Sequence, residues 1–345
     1  MKKGFKMAFL LVLALAVVNC SKDDDTPTTY DFEDQFEDLE ELPGVEDEDP
    51  EITEPDTGKV QESAATANVM ADLGDGSGDV SAETQASLDA VENFGASLST
   101  DAQAEAQSLD ATRAEEILNM TDLDGELAGL EASLDNAPAE ILELLPSVDF
   151  GADLGTSSVF NEDLFRSGLG AKEVATTNQQ TGPCFEAAKK AYDEAMAPAI
   201  AKRQENLEII DANYQRRLGE AETRAASRQA AVDAARDDYA AYILDTTVAL
   251  LDLAASVEST NAAFAANLRT YALLFLVEGS SSLTAWYIAA SQKVADKKVA
   301  EKTTATSIKT TKTTEVETKF AAIKATADAK LADANRNCHN QGSGS

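Results

Sequence analysis

The sequence predicts an all-α protein built around a long antiparallel helical hairpin or coiled-coil bundle. Three observations lead there. Helix-forming Ala, Glu, Leu, Lys and Gln are abundant, while aromatic residues make up only 6% of the 345. Between residues 184 and 338 glycine occurs only at Gly219 and Gly279. In that same stretch apolar residues recur at spacings of three and four. Leu207, Ile210, Tyr214, Leu218, Ala221, Ala225, Val232, Ala235 and Tyr239 form one seam, and Val316, Phe320, Ile323, Ala327, Leu331 and Ala334 form another.

Charge separates the chain into parts and narrows the function classes. There are 62 acidic and 28 basic side chains, a formal net charge of −34. Residues 21–182 hold 41 acidic and 5 basic side chains, residues 184–261 hold 14 and 9, and residues 262–338 hold 7 and 11. A chain this acidic repels phosphate, so no nucleic-acid partner is expected. The only histidine is His339, near the end, where an exposed and idle side chain is the simplest reading. A histidine-based catalytic site is therefore not expected. No Gly-rich phosphate loop, Cys-x-x-Cys pair or nucleophile elbow occurs, and an enzyme is not expected.

Residues 1–19 read as an export address. Lys2, Lys3 and Lys6 precede an apolar run over 7–18, which is too short to span a bilayer. The run ends Val17-Val18-Asn19-Cys20, followed by Ser21-Lys22-Asp23-Asp24-Asp25. The first motif resembles the lipobox of bacterial lipoproteins, with Asn19 where that box usually carries Gly, Ala or Ser. The second resembles the lipoprotein export signal of Bacteroidota. The resemblance covers only about the first 25 residues of the sequence. It implies a lipid on Cys20, export through Ser21, Lys22, Asp23 and Asp24, and an anchor on the outward face of the outer membrane. Outer-membrane proteins are then the expected partners. Several acyl chains hold such a protein firmly, at about 0.8 kcal/mol per buried CH₂. No later stretch approaches 18 uninterrupted apolar residues, so no transmembrane helix is expected.

Residues 20–60 read as the lipidated cysteine and a disordered acidic tether, punctuated by Pro27, Pro43, Pro50 and Pro55. Within it Tyr30, Phe32, Phe36, Leu39 and Leu42 are spaced so that they could instead fold on a partner's groove. Residues 61–146 read as short helices over 81–97, 100–119 and 134–145. Ser99-Thr100-Asp101 is an N-cap cluster, and Pro138 stands where a helix can start. Residues 147–183 read as an irregular linker whose aromatics pack back on helices.

With Cys20 assigned to the lipid, Cys184 and Cys338 remain, one at each end of the 184–338 segment. An oxidising compartment permits one bond between them. Their midpoint falls in Glu258-Ser259-Thr260-Asn261, a polar stretch suited to a turn. The expectation is a hairpin closed by a disulfide, with arms of about 110 Å if unbroken. Pro198 should kink or start a helix, and Gly279-Ser280-Ser281-Ser282 should break the second arm. Broken arms would make a four-helix bundle cored by residues 239–290. The run over 303–318 is rich in Thr, a poor helix former that needs packing. Residues 339–345 read as a flexible tail.

Two acidic clusters are the only candidates for a metal, and no other cofactor is expected. Asp122, Asp124, Gly125, Leu127 and Glu131 fit positions 3, 5, 6, 8 and 12 of a calcium loop. Position 1 is Met120, which supplies no carboxylate, so a helix–turn–helix is preferred and Ca²⁺ is not expected there. Asp72, Asp75, Ser77 and Asp79 form a second, weaker cluster. The sequence thus points to a non-enzymatic surface lipoprotein acting through protein contacts, as an accessory subunit or stalk-like spacer. The alternative is a membrane-active or adhesive helical protein using residues 239–290.

Overall fold

The computed structural model describes residues 30–74, 80–120, 123, 125–152 and 182–340, the side chains of 339 and 340 excepted. Eleven elements occur among them. In chain order they are α1 (Glu33–Phe36), β1 (Lys59–Gln61), α2 (Ala64–Gly74), α3 (Ala82–Ala96), α4 (Thr100–Ser108), α5 (Ala111–Leu118), α6 (Gly125–Leu134), α7 (Ala139–Leu142), β2 (Ser147–Asp149), α8 (Pro183–Val257) and α9 (Ala262–Asn340). The all-α hairpin is therefore observed. Helices α8 and α9 run for 75 and 79 residues and pack together. They turn where the sequence places the turn. The Thr260 and Asn261 amides donate to the Val257 carbonyl at 3.0 and 2.8 Å. The Asn261 side chain then caps α9 by accepting from the Phe264 amide at 3.1 Å.

The described chain forms two compact units, and both long helices contribute to each. The first comprises residues 30–43, 182–203 and 318–340. Cys184 and Cys338 are joined here by a disulfide, with Cα atoms 5.8 Å apart. Small residues line the seam beside it: Ala188, Ala327 and Ala334 are fully buried. Phe36 of α1 is buried and meets Tyr192 edge-on, with centroids 6.2 Å apart. The Tyr192 hydroxyl donates to Asp328 at 2.8 Å, and burial pushes its pKa up to about 12. Gln35 and Lys330 exchange side-chain to main-chain hydrogen bonds, each 2.9 Å long.

The second unit comprises residues 44–152 and 204–317, as far as they are described. Its core is the apolar part of the long helices, covered by the short ones. Residues 271–277 of α9 are all essentially inaccessible, as are Ile243 and Leu250 of α8. Val69, Leu88, Val91, Ile117, Leu130 and Ile141 close over them. A buried polar knot ties the layers. The Thr66 hydroxyl lies 2.6 Å from the Tyr271 hydroxyl and donates to the Leu144 carbonyl at 2.5 Å. The core of residues 239–290 thus packs against α2–α7 and not against the folded-back arms of a four-helix bundle. By length and composition alone, an 18-residue window in α8 and one in α9 are apolar enough to cross a membrane. The α9 window is mostly buried inside the fold, and Glu278 still interrupts its apolar run.

Several local expectations are overturned, each for a physical reason. Residues 30–60 are not a disordered tether. Phe36, Leu42 and Val60 are buried, and the acidic stretch between Leu42 and Val60 is held by cations of the long helices. Pro198 lies inside α8 and so does not start a helix. Its ring is exposed while Met196 and Ala199 on either side are buried, so seam packing outweighs the lost hydrogen bond. Gly279-Ser280-Ser281-Ser282 does not break α9. A Cβ on Gly279 would lie 2.9 Å from Ile243 Cγ2, so glycine permits close helix approach there. The threonine-rich run stays helical, its hydroxyls at 303, 304, 306, 310 and 314 returning to carbonyls four residues earlier at 2.9–3.0 Å.

The short helices differ in their bounds. The helix expected over 100–119 splits into α4 and α5. Asp110 caps the Arg113 amide at 2.8 Å, and Leu109 turns extended into the core. Ser99 caps α4 as read from sequence, accepting from the Ala102 amide at 3.0 Å. In place of a helix over 134–145, α6 ends at Leu134 and α7 begins after Pro138, which disfavours helical backbone at the residue before it. Strands β1 and β2, which the sequence did not predict, pair antiparallel with Val60 opposite Val148. Gly58, with φ +66, leads into β1 where a Cβ would lie 2.0 Å from the Asp149 carbonyl oxygen.

Candidate functional site

The site with the most concentrated chemistry is a row of arginines on α8 beneath residues 44–57. Arg217, Arg224 and Arg228 are spaced by seven and four, which places them on one helix face. Across from them α9 supplies Glu301. The 44–57 segment supplies seven carboxylates and no cation, and it carries no helix or strand.

The geometry is bidentate. Arg217 donates to both carboxylate oxygens of Asp47, from Nη2 at 2.8 Å and Nη1 at 3.1 Å. Its Nε reaches Asp49 at 2.9 Å and its Nη2 the Glu48 carbonyl at 3.1 Å. Arg216 adds a 2.6 Å bond to Asp49, and Asn213 a 3.0 Å bond to Asp47. Arg228 grips Glu54 with Nε at 2.5 Å and Nη2 at 2.9 Å. Its third arm, Nη1, reaches Glu301 at 2.7 Å, and Arg224 Nε reaches the other Glu301 oxygen at 3.0 Å. Such planar forks suit carboxylates in a way that lysine ammoniums do not. The lysines of α9 act differently. Lys297 donates to the Thr53 hydroxyl at 3.0 Å. Lys293 donates to the carbonyls of Asp56 at 3.0 Å and Ala152 at 2.9 Å, and also to that of Phe150.

Burial is uneven across these pairs, and that sets their electrostatics. The side chains of Arg217, Arg228, Asp47 and Glu301 are 5%, 8%, 3% and 4% exposed, whereas those of Asp49 and Glu54 are 53% and 68% exposed. The Arg216 guanidinium holds the Asp49 carboxyl below the usual carboxylate range, and Arg228 does the same for Glu54. The pKa values of Arg216, Arg217 and Arg228 are raised by their carboxylate partners. The segment ends on Trp286, whose indole N–H donates to the Thr57 carbonyl at 3.0 Å.

The residues singled out from sequence fall as follows. Cys184 and Cys338 are bonded to each other. Cys20, Ser21, Lys22, Asp23 and Asp24 lie outside the described residues, as do Asp122 and Asp124 of the calcium-loop pattern. Glu131, its third member, accepts a hydrogen bond from Ser281 of α9. Of the second cluster only Asp72 is described, and it accepts from Thr84 at 2.6 Å, tying α2 to the start of α3. Among the described residues no group of three or more His, Cys, Asp or Glu is placed to hold a metal ion. The arginine row was missed from sequence. Its signal was present as four arginines at 216, 217, 224 and 228 beside a seam, within a chain that is otherwise acidic.

No protein-family model matches the chain, and no curated protein or solved structure matches it either.

Proposed function

We propose that this chain is a non-enzymatic lipoprotein, anchored through Cys20 on the outward face of a Bacteroidota outer membrane. It acts there through protein contacts, as an accessory or structural subunit of a membrane complex or as a stalk-like spacer. The observation that carries this reading is the Cys184–Cys338 bond. It uses two of the three cysteines and leaves Cys20, the one in the lipobox-like motif, for the lipid. A bond closing a 154-residue separation also fits an oxidising, extracytoplasmic compartment.

The test is surface labelling of intact cells with parallel affinity purification in mild detergent. Wild type is expected to label and to bring down outer-membrane proteins stoichiometrically. Cys20→Ser should lose the membrane fraction, and Lys22→Ala with Asp23→Ala should lose surface exposure. Recovery of the protein in the cytoplasm with free Cys184 and Cys338 thiols would refute the proposal.

A membrane-active reading has one observation in its favour. The apolar window of α8 is 22% buried, against 61% for that of α9. Leakage from liposomes caused by protein lacking the lipid would support it.

A further inference from the structure

Residues 44–57 cover the arginine row as a ligand covers a site. The Asp47 side chain is buried with Arg217, whereas those of Asp49 and Glu54 stand largely in solvent and no residue of the segment is inaccessible as a whole. Among the described residues no main-chain to main-chain hydrogen bond ties the segment to another element. It is held by carboxylates at 47, 49 and 54 reaching forked guanidiniums, by side chains of the long helices donating to the carbonyls of Glu48, Asp56 and Thr57, and by Lys297 on the Thr53 hydroxyl. Side-chain forks with few main-chain ties and high exposure are features of a low-stability, separable segment. The apolar flank at Val60 is by contrast buried and paired in a sheet.

If the segment lifts, Arg216, Arg217, Arg224 and Arg228 keep only Glu220 and Glu301 as carboxylate partners among the contacts described above and along α8. A buried guanidinium that loses its carboxylate is strongly destabilising, so the row demands a replacement anion. A suitable replacement has carboxylates two and seven residues apart on an extended backbone, the spacing of Asp47, Asp49 and Glu54.

We propose that the arginine row is a docking groove for an acidic, extended segment of a partner protein, and that residues 44–57 are its built-in competitor. The proposal rests on the protein-contact reading above and names the chemistry of that contact. Chain continuity keeps the competitor at an effective concentration on the order of millimolar, so the groove is closed until a partner segment outcompetes it.

The test uses the full chain and a fluorescent peptide with the sequence of residues 44–57. Anisotropy is read for wild type and for the Asp47→Asn, Asp49→Asn, Glu54→Gln variant, which frees the groove. The variant is expected to bind the peptide about tenfold or more tighter than wild type. Adding Arg217→Gln and Arg228→Gln should abolish binding. A peptide of the same composition in scrambled order should bind about tenfold more weakly. No binding to the freed groove, or equal binding of the scrambled peptide, overturns the proposal. Concentration-dependent self-association of the variant also overturns it, since a second copy would then be the occupant.

Should the variant not fold, wild type gives an independent reading. Raising the salt should speed cleavage by a glutamate-specific protease after Glu46–Glu54 and shift the emission of Trp286, the single tryptophan. Unchanged cleavage and emission overturn the proposal. All of these assays use purified protein, so they can fail while surface labelling succeeds, and the reverse.

Discussion

Two coverings lie on the same pair of long helices, and they are held by opposite physics. Helices α2–α7 cover the apolar part of α8 and α9 with side chains such as Leu88, Val91 and Ile117, all buried. Residues 44–57 cover the arginine row with carboxylates, and no apolar residue of theirs is fully buried. Apolar burial depends little on pH, whereas the exposed carboxylates at Asp49 and Glu54 are screened and titrate, the buried Arg217–Asp47 pair less so. The chain therefore carries one covering that comes off only with unfolding and one that conditions can loosen.

The largest expected effect lies in the apolar covering. Phe275 is fully inaccessible and meets Tyr242 and Tyr271 edge-on, at 5.9 and 6.5 Å. Phe275→Ala should destabilise the larger unit by about 3–5 kcal/mol, as large-to-small core changes do. Urea unfolding followed by circular dichroism checks it. A loss well under this range would mean that the short helices do not pack as described, and the contrast would collapse.

Next comes the cross-link in the smaller unit. Cys184→Ser should lower stability by about 2–5 kcal/mol under oxidising conditions. Thermal melting with and without reductant checks it, since wild type should fall towards the variant when reduced. A melting temperature that ignores both changes would remove the disulfide from the account of stability.

Gly279→Val sharpens the contrast at a smaller scale. The added side chain would enter space held by Ile243, and overpacking of that kind costs about 1–3 kcal/mol. Thermal melting is again the readout. An unchanged melting temperature would reinstate Gly279 as a simple flexible point.

Legibility in the sequence divides along the same line. The hairpin, its turn near Asn261 and the Cys184–Cys338 bond were readable, because a sustained three-four seam and two terminal cysteines are strong, local signals. Gly279 was misread as a break and Pro198 as a helix start, because propensity is local while seam packing acts over many turns. The split at Asp110 followed from a cap outcompeting a helix interior. The arginine row was illegible because the carboxylates that cover it, Asp47, Asp49 and Glu54, lie more than 160 residues away in sequence. Acidic composition alone pointed to disorder, since composition does not reveal cations waiting on another element.

The smallest change in overall stability, and the sharpest separation of the two coverings, should come from acid. Asp49 and Glu54 are depressed below the usual carboxylate range by Arg216 and Arg228. Their contribution is complete above the unfolded carboxylate pKa and is lost as pH falls through the depressed folded values. Glu278 of α9 has the opposite sign. Burial raises its pKa, with Asp135 and Glu131 adding to the shift against a hydrogen bond from Ser282. It favours the folded state below the unfolded pKa, and that advantage is lost as pH rises through the raised value. Lowering the pH from neutral through and below the usual carboxylate range should therefore loosen residues 44–57 at Asp49 and Glu54 while relieving the partly buried carboxylate of Glu278. Trp286 bonds to Thr57 at the end of the segment, so its emission reports the release. Far-ultraviolet circular dichroism reports the helices. The expected result is a Trp286 transition in acid with helical signal retained, and Glu278→Gln should leave that transition in place. A single transition shared by both probes would mean that the two coverings are one cooperative structure.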